Sequence, residues 1–236
     1  WCAGVPVRVC PFSKLVSLLL NNRVSQQRSR VDKHEAEYNL DLAKYCGADG
    51  TAAPPRIFLT ESERGDGREL VAKLGFGPDA RPVAIHSGSA GSVQNWPLEH
   101  FFRLGQKISN AGTPVVFTFG DREQDLPEKF RRFMGDSHKN IRSVQPGQLA
   151  LRELASLISN CRAMISNSTG PLHIASALGV PTLSFYPHLP KVTSAKRWGP
   201  FGNPSKNKIL SPDEETSPMS TITVERAYTS FTQLMI

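Results

Sequence analysis

One stretch of this sequence, residues 166–181, places small hydroxyl residues and glycine directly after an apolar run. Ser168-Thr169-Gly170 follow Ala163-Met164-Ile165, and Pro171 stands where the first turn of a helix is expected. A helix that begins there presents unpaired backbone N–H groups and the positive end of its dipole. The stretch therefore predicts an anion site, and we interpret it as the docking place of a nucleotide diphosphate. His173, in the first helical turn, can donate to a phosphate oxygen.

Two further loops carry small or polar residues where an apolar run ends. His86-Ser87-Gly88-Ser89 follows one such run, and Glu123 follows another beyond Gly120. Glycine lets a backbone approach a ligand closely, serine hydroxyls donate to phosphate oxygens, and a carboxylate can accept from ribose hydroxyls. The carboxyl ends of parallel strands share one sheet edge, so the three loops are expected to form one site.

Each of these residues also has a purely structural interpretation, which the sequence leaves open. Ser168 and Thr169 can cap the helix, and Glu123 can satisfy a helix dipole. His173 can be a core or capping histidine, and Trp96 can be core between helix and sheet. The convergence of three loops on one edge favours the binding interpretation.

Familiar nucleotide and hydrolase motifs are absent from the sequence. It has no G-x-x-x-x-G-K-[ST] loop, no G-x-G-x-x-G and no G-x-S-x-G elbow. No metal-ligand spacing is present, so neither a bound metal nor a cofactor is predicted.

The elements that position these loops follow from an alternation of short apolar runs with amphipathic segments. Strands are predicted at 82–86, 115–119, 140–144, 163–165 and 182–185, and helices at 62–74, 97–111, 124–134, 149–159 and 170–179. The strands are apolar on both faces, which indicates an α/β fold with a parallel sheet wrapped by helices. Residues 187–217 are predicted to be a long surface loop. Residues 224–235 have the spacing of a final amphipathic helix.

Residues 1–56 are harder to interpret. A short strand is predicted at 5–9, a helix at 34–47 and a linker at 52–55. These elements bury little surface alone, and the chain opens at Trp1 without an initiator Met. We therefore expect them to complete a domain whose start precedes the sequence.

Charge and cysteine content limit the classes of partner. The net charge of +7 favours acidic partners, but Lys and Arg form no dense block, so nucleic acid is not indicated. No apolar run approaches the roughly 20 residues that span a membrane. The four cysteines are scattered, and no signal peptide is expected. Free thiols in a reducing, cytoplasmic compartment are expected.

Three motifs resemble glycosyltransferase family 9, the lipopolysaccharide heptosyltransferases. Residues 83–89 with 95–99 are similar to the family's "hPGs…KnWp.e" block, and residues 115–123 to its strand followed by a "G…E" turn. Residues 166–181 resemble the "nDTGp.HlAaAlGvP" block, the most specific of the three. Residues 33–40 also resemble its "kHe.e.nl" helix.

The resemblance implies a GT-B fold, with two Rossmann-like domains and the active site between them. Residues 57–217 would be the donor domain, residues 1–56 the tail of the acceptor-side domain, and residues 218–236 a helix crossing back to that first domain. The implied reaction is inverting and metal-independent. It transfers a heptose or related sugar from an ADP-sugar to a lipopolysaccharide core or other lipid-linked sugar. Such an acceptor implies peripheral contact with the cytoplasmic face of the inner membrane.

The resemblance also assigns roles to residues. Phosphate- or sugar-contacting positions of the family are matched by Ser87, Gly88, Ser89, Thr169, Gly170 and His173. Glu123 matches the ribose-binding acid, and Leu149 the apolar side chain that packs on the base. Gln94 replaces a frequent lysine, and Ser168 replaces the acid of the "DTG" block. The catalytic aspartate would lie in the domain preceding Trp1, so the catalytic base is unknown.

Two other functions remain open on the sequence. One is another GT-B enzyme, such as a sugar-nucleotide epimerase, which a preference for UDP over ADP would favour. The other is a degenerate, non-catalytic protein that binds sugar or nucleotide, which the departures at Gln94 and Ser168 would favour.

Overall fold

The computed structural model describes residues 4–12, 15–89, 94–135 and 140–236. Its N-terminal part holds a two-stranded parallel sheet, β1 (Val9–Pro11) and β2 (Asn22–Val24), with a 3-10 turn at Leu15–Leu19 between the strands. The strand predicted at 5–9 therefore lies further along the chain. Its position is set by the pairing of β1 with β2, which the local pattern does not encode.

The predicted helix at 34–47 is confirmed as α1 (Glu35–Ala43), extended by a 3-10 turn at Lys44–Cys46. His34 caps it: Nδ1 accepts from the Ala36 N–H at 3.1 Å, and Nε2 donates to the Gly199 carbonyl at 2.9 Å. The His34 ring also stacks on Phe201, with centroids 4.6 Å apart. The start of α1 is thereby docked on a segment more than 160 residues away in sequence.

Six parallel strands form the main sheet, in the order β5-β4-β3-β6-β7-β8. They are β3 (Val83–His86), β4 (Val115–Thr118), β5 (Ile141–Val144), β6 (Ala163–Asn167), β7 (Thr182–Phe185) and β8 (Asn207–Leu210). This is the strand order of a doubly wound Rossmann-like sheet, and it reverses between β3 and β6. The predicted parallel α/β sheet is confirmed. Its reversal point is where such sheets form their ligand crevice.

Helices cover both faces of this sheet. They are α2 (Glu61–Lys73), α3 (Leu98–Asn110), α4 (Leu126–Met134), α5 (Leu151–Ser159), α6 (Gly170–Ala177) and α8 (Val224–Leu234). The short α7 (Ala195–Trp198) lies next to the 3-10 turn at Lys191–Thr193. Successive side chains of a strand point to opposite faces, which creates two cores. In β3, Val83 and Ile85 join the core under α3, α4 and α8, whereas Ala84 joins the core under α2, α5 and α6.

The last helix was predicted to cross back to a first domain. In the structure, α8 lies against α3, β7 and β8, and its Ala227 and Phe231 are buried in the core they share. Those contacts attach α8 to the main sheet, so the crossing stays a prediction. Among the described residues, no helix is long and apolar enough to span a bilayer.

The prediction that residues 187–217 form only a loop was wrong. They contain α7, β8 and 3-10 turns at Lys191–Thr193 and Pro204–Lys206. Among the described strands, β8 pairs only with β7, and Lys208 and Ile209 are exposed. An edge strand with one covered face and polar residues lacks the continuous apolar run by which the inner strands were recognised.

Candidate functional site

A cavity of about 570 Å³ opens at the carboxyl edge of the sheet, beside the reversal between β3 and β6. All three predicted loops contribute to its wall. Of the predicted site residues, those that line it are Ser89, Glu123, Leu149, Ser168, Thr169 and Gly170. The parallel topology therefore brings together residues as far apart in sequence as Ser89 and Gly170.

Glu123 is held rigidly at one side of this cavity. Its Oε2 accepts from the Gly120 N–H at 2.7 Å, and only 11% of its side-chain surface is exposed. The carboxylate lies directly over Gly88, where a Cβ atom would come within 1.8 Å of Oε1. Glycine at position 88 leaves the room that this carboxylate occupies.

His86 lies beneath Glu123, at the end of β3. Its Nδ1 is 3.0 Å from Thr118 Oγ1, and its Nε2 is 3.8 Å from Glu123 Oε2. Burial lowers the pKa of His86, and the opposing effects of Glu123 and Thr118 are smaller. The imidazole is therefore neutral near pH 7.

The N-terminus of α6 forms the opposite side. Thr169 is the N-cap residue, yet its side chain makes no hydrogen bond to the first turn. Instead, Thr169 Oγ1 is paired with Ser166 Oγ at 2.7 Å. The structural interpretation of Thr169 as a side-chain cap is therefore wrong. Thr169, Gly170 and Pro171 of this uncapped helix end line the cavity, and a helix N-terminus at a cavity is an arrangement that binds anions.

Ser168 lies at the cavity wall close to Tyr186, whose hydroxyl donates to the Trp198 carbonyl at 2.7 Å. Burial raises the pKa of Tyr186 to about 12, and Ser168 has a smaller effect in the opposite direction. The sequence did not reveal this neighbour of Ser168.

An apolar end of the cavity lies beyond Glu123. Leu149 is accompanied there by Leu151 and Leu154, together with Val144 and Gln145. Leu151 is 72% exposed although it is apolar, because it lines the open cavity. Sequence reasoning named only Leu149 here. Leu151 and Leu154 could have been found from the sequence, because they lie in the first segment after the strand end at Val144, on the same sheet edge.

Four predicted residues do not line this cavity. Gly88 lies behind Glu123, and Ser87 is buried, with its hydroxyl unpaired among the described residues. Gln94 is exposed, and the neighbouring residues 90–92 of the predicted loop lie outside the described part of the chain. His173 is half-buried, and its pKa is lowered by burial first and by nearby His34 second. The phosphate-binding roles of these side chains stay predictions.

Trp96 is fully buried and stacks on Phe185 with ring centroids 4.1 Å apart. Its Nε1 donates to the Ile222 carbonyl at 2.8 Å. Trp96 is therefore a core residue, as its structural interpretation proposed. It fixes the point at which the chain returns from the loop after β3.

The sequence of this chain is similar to those of known glycosyltransferases. The sequence model of glycosyltransferase family 9 (heptosyltransferase) matches residues 11–227. A putative glycosyltransferase of Haemophilus influenzae is 30% identical over 219 residues, covering 90% of this chain and 62% of the relative. The chain thus spans about three fifths of that relative's length.

Solved structures give the same fold. A family 9 glycosyl transferase from Veillonella parvula superposes with a TM-score of 0.78 at 18% identity, covering 100% of this chain and 69% of the other. The ADP-heptose lipopolysaccharide heptosyltransferase II of Escherichia coli gives a TM-score of 0.80 at 19% identity, covering 99% and 71%. The predicted fold class, an α/β fold of GT-B type with a Rossmann-like sheet, is confirmed.

Proposed function

Because this chain belongs to glycosyltransferase family 9, we propose that it forms the donor-binding part of an enzyme that transfers a sugar from a nucleotide diphosphate sugar. The donor is an ADP-sugar and the transferred group a heptose or a related sugar. The cavity at the sheet reversal carries this proposal, because a fixed carboxylate and an uncapped helix N-terminus face the same space.

The donor fits this cavity in one direction. The adenine packs on the apolar end at Leu149 and Leu151, and Glu123 accepts hydrogen bonds from the ribose hydroxyls. The diphosphate then reaches the N–H groups at Thr169 and Gly170. A base, a ribose and a diphosphate need an apolar wall, a hydrogen-bond acceptor and an anion site, in that order.

The chemistry follows from this placement. As the bond from the sugar to the diphosphate breaks, negative charge builds on the leaving group, and the end of α6 stabilises it. A base outside the described residues takes the proton of the acceptor hydroxyl, which attacks the anomeric carbon with inversion. The reaction on this proposal uses no metal ion.

The domain organisation is part of the proposal. Residues 57–217 form the donor domain, residues 1–56 end an acceptor-side domain, and residues 218–236 link the two. The acceptor is a lipopolysaccharide core or another lipid-linked sugar at the cytoplasmic face of the inner membrane. The structural neighbour from Escherichia coli is an ADP-heptose lipopolysaccharide heptosyltransferase, which supports this choice of donor and acceptor.

Calorimetric titration and thermal unfolding with ADP, UDP and adenosine test the donor assignment. We expect ADP to bind and to raise the melting temperature, with UDP and adenosine weaker. Adenosine lacks the diphosphate, so its deficit measures the contribution of the helix end. His173→Ala is expected to reduce the stabilisation by ADP.

The outcomes separate the three functions. No change with millimolar ADP would contradict the proposal. A preference for UDP would favour an epimerase or another GT-B enzyme. ADP binding without turnover of any ADP-sugar by the full-length protein would favour a non-catalytic binding protein.

A further inference from the structure

Asn167 occupies the sheet reversal with an almost fully buried side chain. It is the last residue of β6, and only 2% of its surface is exposed. Its Oδ1 accepts from the backbone N–H of Trp96 at 3.0 Å, and its Nδ2 donates to the Ser87 carbonyl at 3.4 Å. One amide therefore holds both ends of the loop that leaves β3 and returns at Trp96.

The two ends of that loop are otherwise secured differently. Ser87 directly follows β3, whose His86 pairs with Ser166 of β6. Trp96 is secured by its side chain, through Phe185 and the Ile222 carbonyl. The backbone N–H of Trp96 is held separately, because it donates to Asn167. Among the described residues, Asn167 thus links the backbone of this loop to β6, the strand that leads to α6.

This link joins two walls of the same cavity. Asn167 is followed immediately by Ser168, Thr169 and Gly170 on one wall, and Ser89 of the held loop lies on the other. A buried amide that lost these partners would be costly, so the satisfied geometry strongly favours one relative position of the two loops.

We propose that Asn167 is a positioning residue for the donor diphosphate, which it serves by fixing residues 87–89 and Trp96 against the N-terminus of α6. This rests on the proposed function, because it presumes that a diphosphate lies between Ser89 and that helix end. A displacement of residues 87–89 by about 1 Å weakens the contacts to the phosphates without removing the cavity. Asn167 itself touches the loop backbone and not the ligand.

Two variants and one control test the proposal. Asn167→Ala removes both hydrogen bonds. Asn167→Ser, the fallback if the alanine variant does not fold, leaves a hydroxyl too short to reach both partners. Asn160→Ala is the matched control, because Asn160 Nδ2 also bonds backbone carbonyls, those of Ser156 and Arg64, outside the cavity wall.

Hydrogen exchange of peptides covering 87–97 and calorimetric titration with ADP and adenosine give two readouts. We expect faster exchange at the Trp96 amide in the Asn167 variants and not in the control. ADP affinity should fall on the order of tenfold, with adenosine affinity unchanged. This split between ligands would not follow from a general loss of stability.

The results distinguish a failure of the proposed function from a failure of the inference about Asn167. If the wild-type chain does not bind ADP, the proposed function fails and this inference with it. If wild-type binds ADP and a folded Asn167 variant binds it equally well, the inference alone is overturned. An equal loss of ADP and adenosine affinity also overturns it, because that result would mean that the whole cavity is disturbed and not only the contacts to the diphosphate.

Discussion

The carboxylate of Glu123 occupies the space in front of Gly88, so a Cβ atom at that glycine would meet Oε1 at 1.8 Å. The contact links the loop after β3 to the turn after β4, where the Gly120 N–H holds Oε2 at 2.7 Å. Two loops therefore set the position of this half-buried acid at the cavity wall. A side chain added at Gly88 would displace that acid without touching a ligand.

Gly88→Ala is expected to displace Glu123 and to weaken ADP binding by at least about tenfold, because the ribose would lose a fixed acceptor. Gly77→Ala is the matched control, since a Cβ there meets no atom within 4 Å. Calorimetric titration of both variants with ADP checks the prediction. Equal ADP affinity of Gly88→Ala and wild-type would contradict the role given to Glu123.

Gly170→Ala is expected to weaken ADP binding without changing the stability of the fold. Gly170 lines the cavity at the start of α6, and a Cβ there would meet nothing within 4 Å. The variant should therefore keep the wild-type free energy of unfolding to within about 1 kcal/mol, because alanine suits a helix better than glycine. The added methyl group would occupy the room over the N–H groups, so ADP affinity should fall. Unfolding and titration of the same sample measure both quantities, and unchanged affinity would place the diphosphate elsewhere.

Stability should decrease in mild acid because of two histidines. Burial lowers the folded-state pKa of His86 and of His173 from the ordinary value of 6.5. The unfolded chain then binds these protons more strongly, so the stability is fully present above about pH 6.5 and decreases as the pH falls below it. The carboxyls with lowered pKa, such as Glu63, start from 4.5 and act only at lower pH.

His86→Gln is expected to flatten this dependence. Melting temperatures at about pH 5.5 and about pH 7.5, on either side of the ordinary histidine pKa, should differ less in the variant than in wild-type. This holds even if the melting temperature of the variant is lower throughout. His100→Gln is the control, as a half-buried histidine in α3. An unchanged difference between the two pH values in His86→Gln would show that folding does not lower the pKa of His86.

The inner part of the sheet could be predicted from the sequence because each inner strand is recognisable locally. Val83–His86 and Val115–Thr118 are short apolar runs closed by glycine or small residues, and the predicted limits differ from these by one residue. Edge strand β8 (Asn207–Leu210) could not be found in this way, because its exposed lysine and isoleucine break the pattern. Its existence depends on the partner strand β7.

The loops that line the cavity could be predicted from the sequence, but the hydrogen bonds that connect them could not. Parallel topology alone places Thr169 and Glu123 on one edge. The hydrogen bonds from the Trp96 N–H to Asn167 and from the Tyr186 hydroxyl to the Trp198 carbonyl depend on residues that meet only in the folded chain. No spacing in the sequence distinguishes Asn167 from an ordinary residue at a strand end.

The start of α1 is held to the segment after β7 by one buried acid between two arginines. Glu35 pairs with Arg28 through Oε1 and accepts from Arg197 Nε through Oε2 at 2.9 Å, and its side chain is only 12% exposed. Glu35→Gln would leave two positive charges facing each other, and we expect the free energy of unfolding to fall by about 2 kcal/mol. At this chain length, that is a decrease of roughly 4–8 °C in melting temperature.

Glu69→Gln is the control for that loss, because the Glu69–Lys73 pair is solvated on α2, and such exposed pairs contribute about 0–1 kcal/mol. In the double variant Glu35→Gln with Arg197→Met, one of the unpaired charges is gone, so part of the lost stability should return. Thermal unfolding of wild-type, the single variants and the double variant measures the coupling. If Glu35→Gln unfolds like Glu69→Gln, the cluster does not hold α1 in place. If the double variant loses the sum of the losses in Glu35→Gln and Arg197→Met, the two residues act independently and the acid does not bridge the segments.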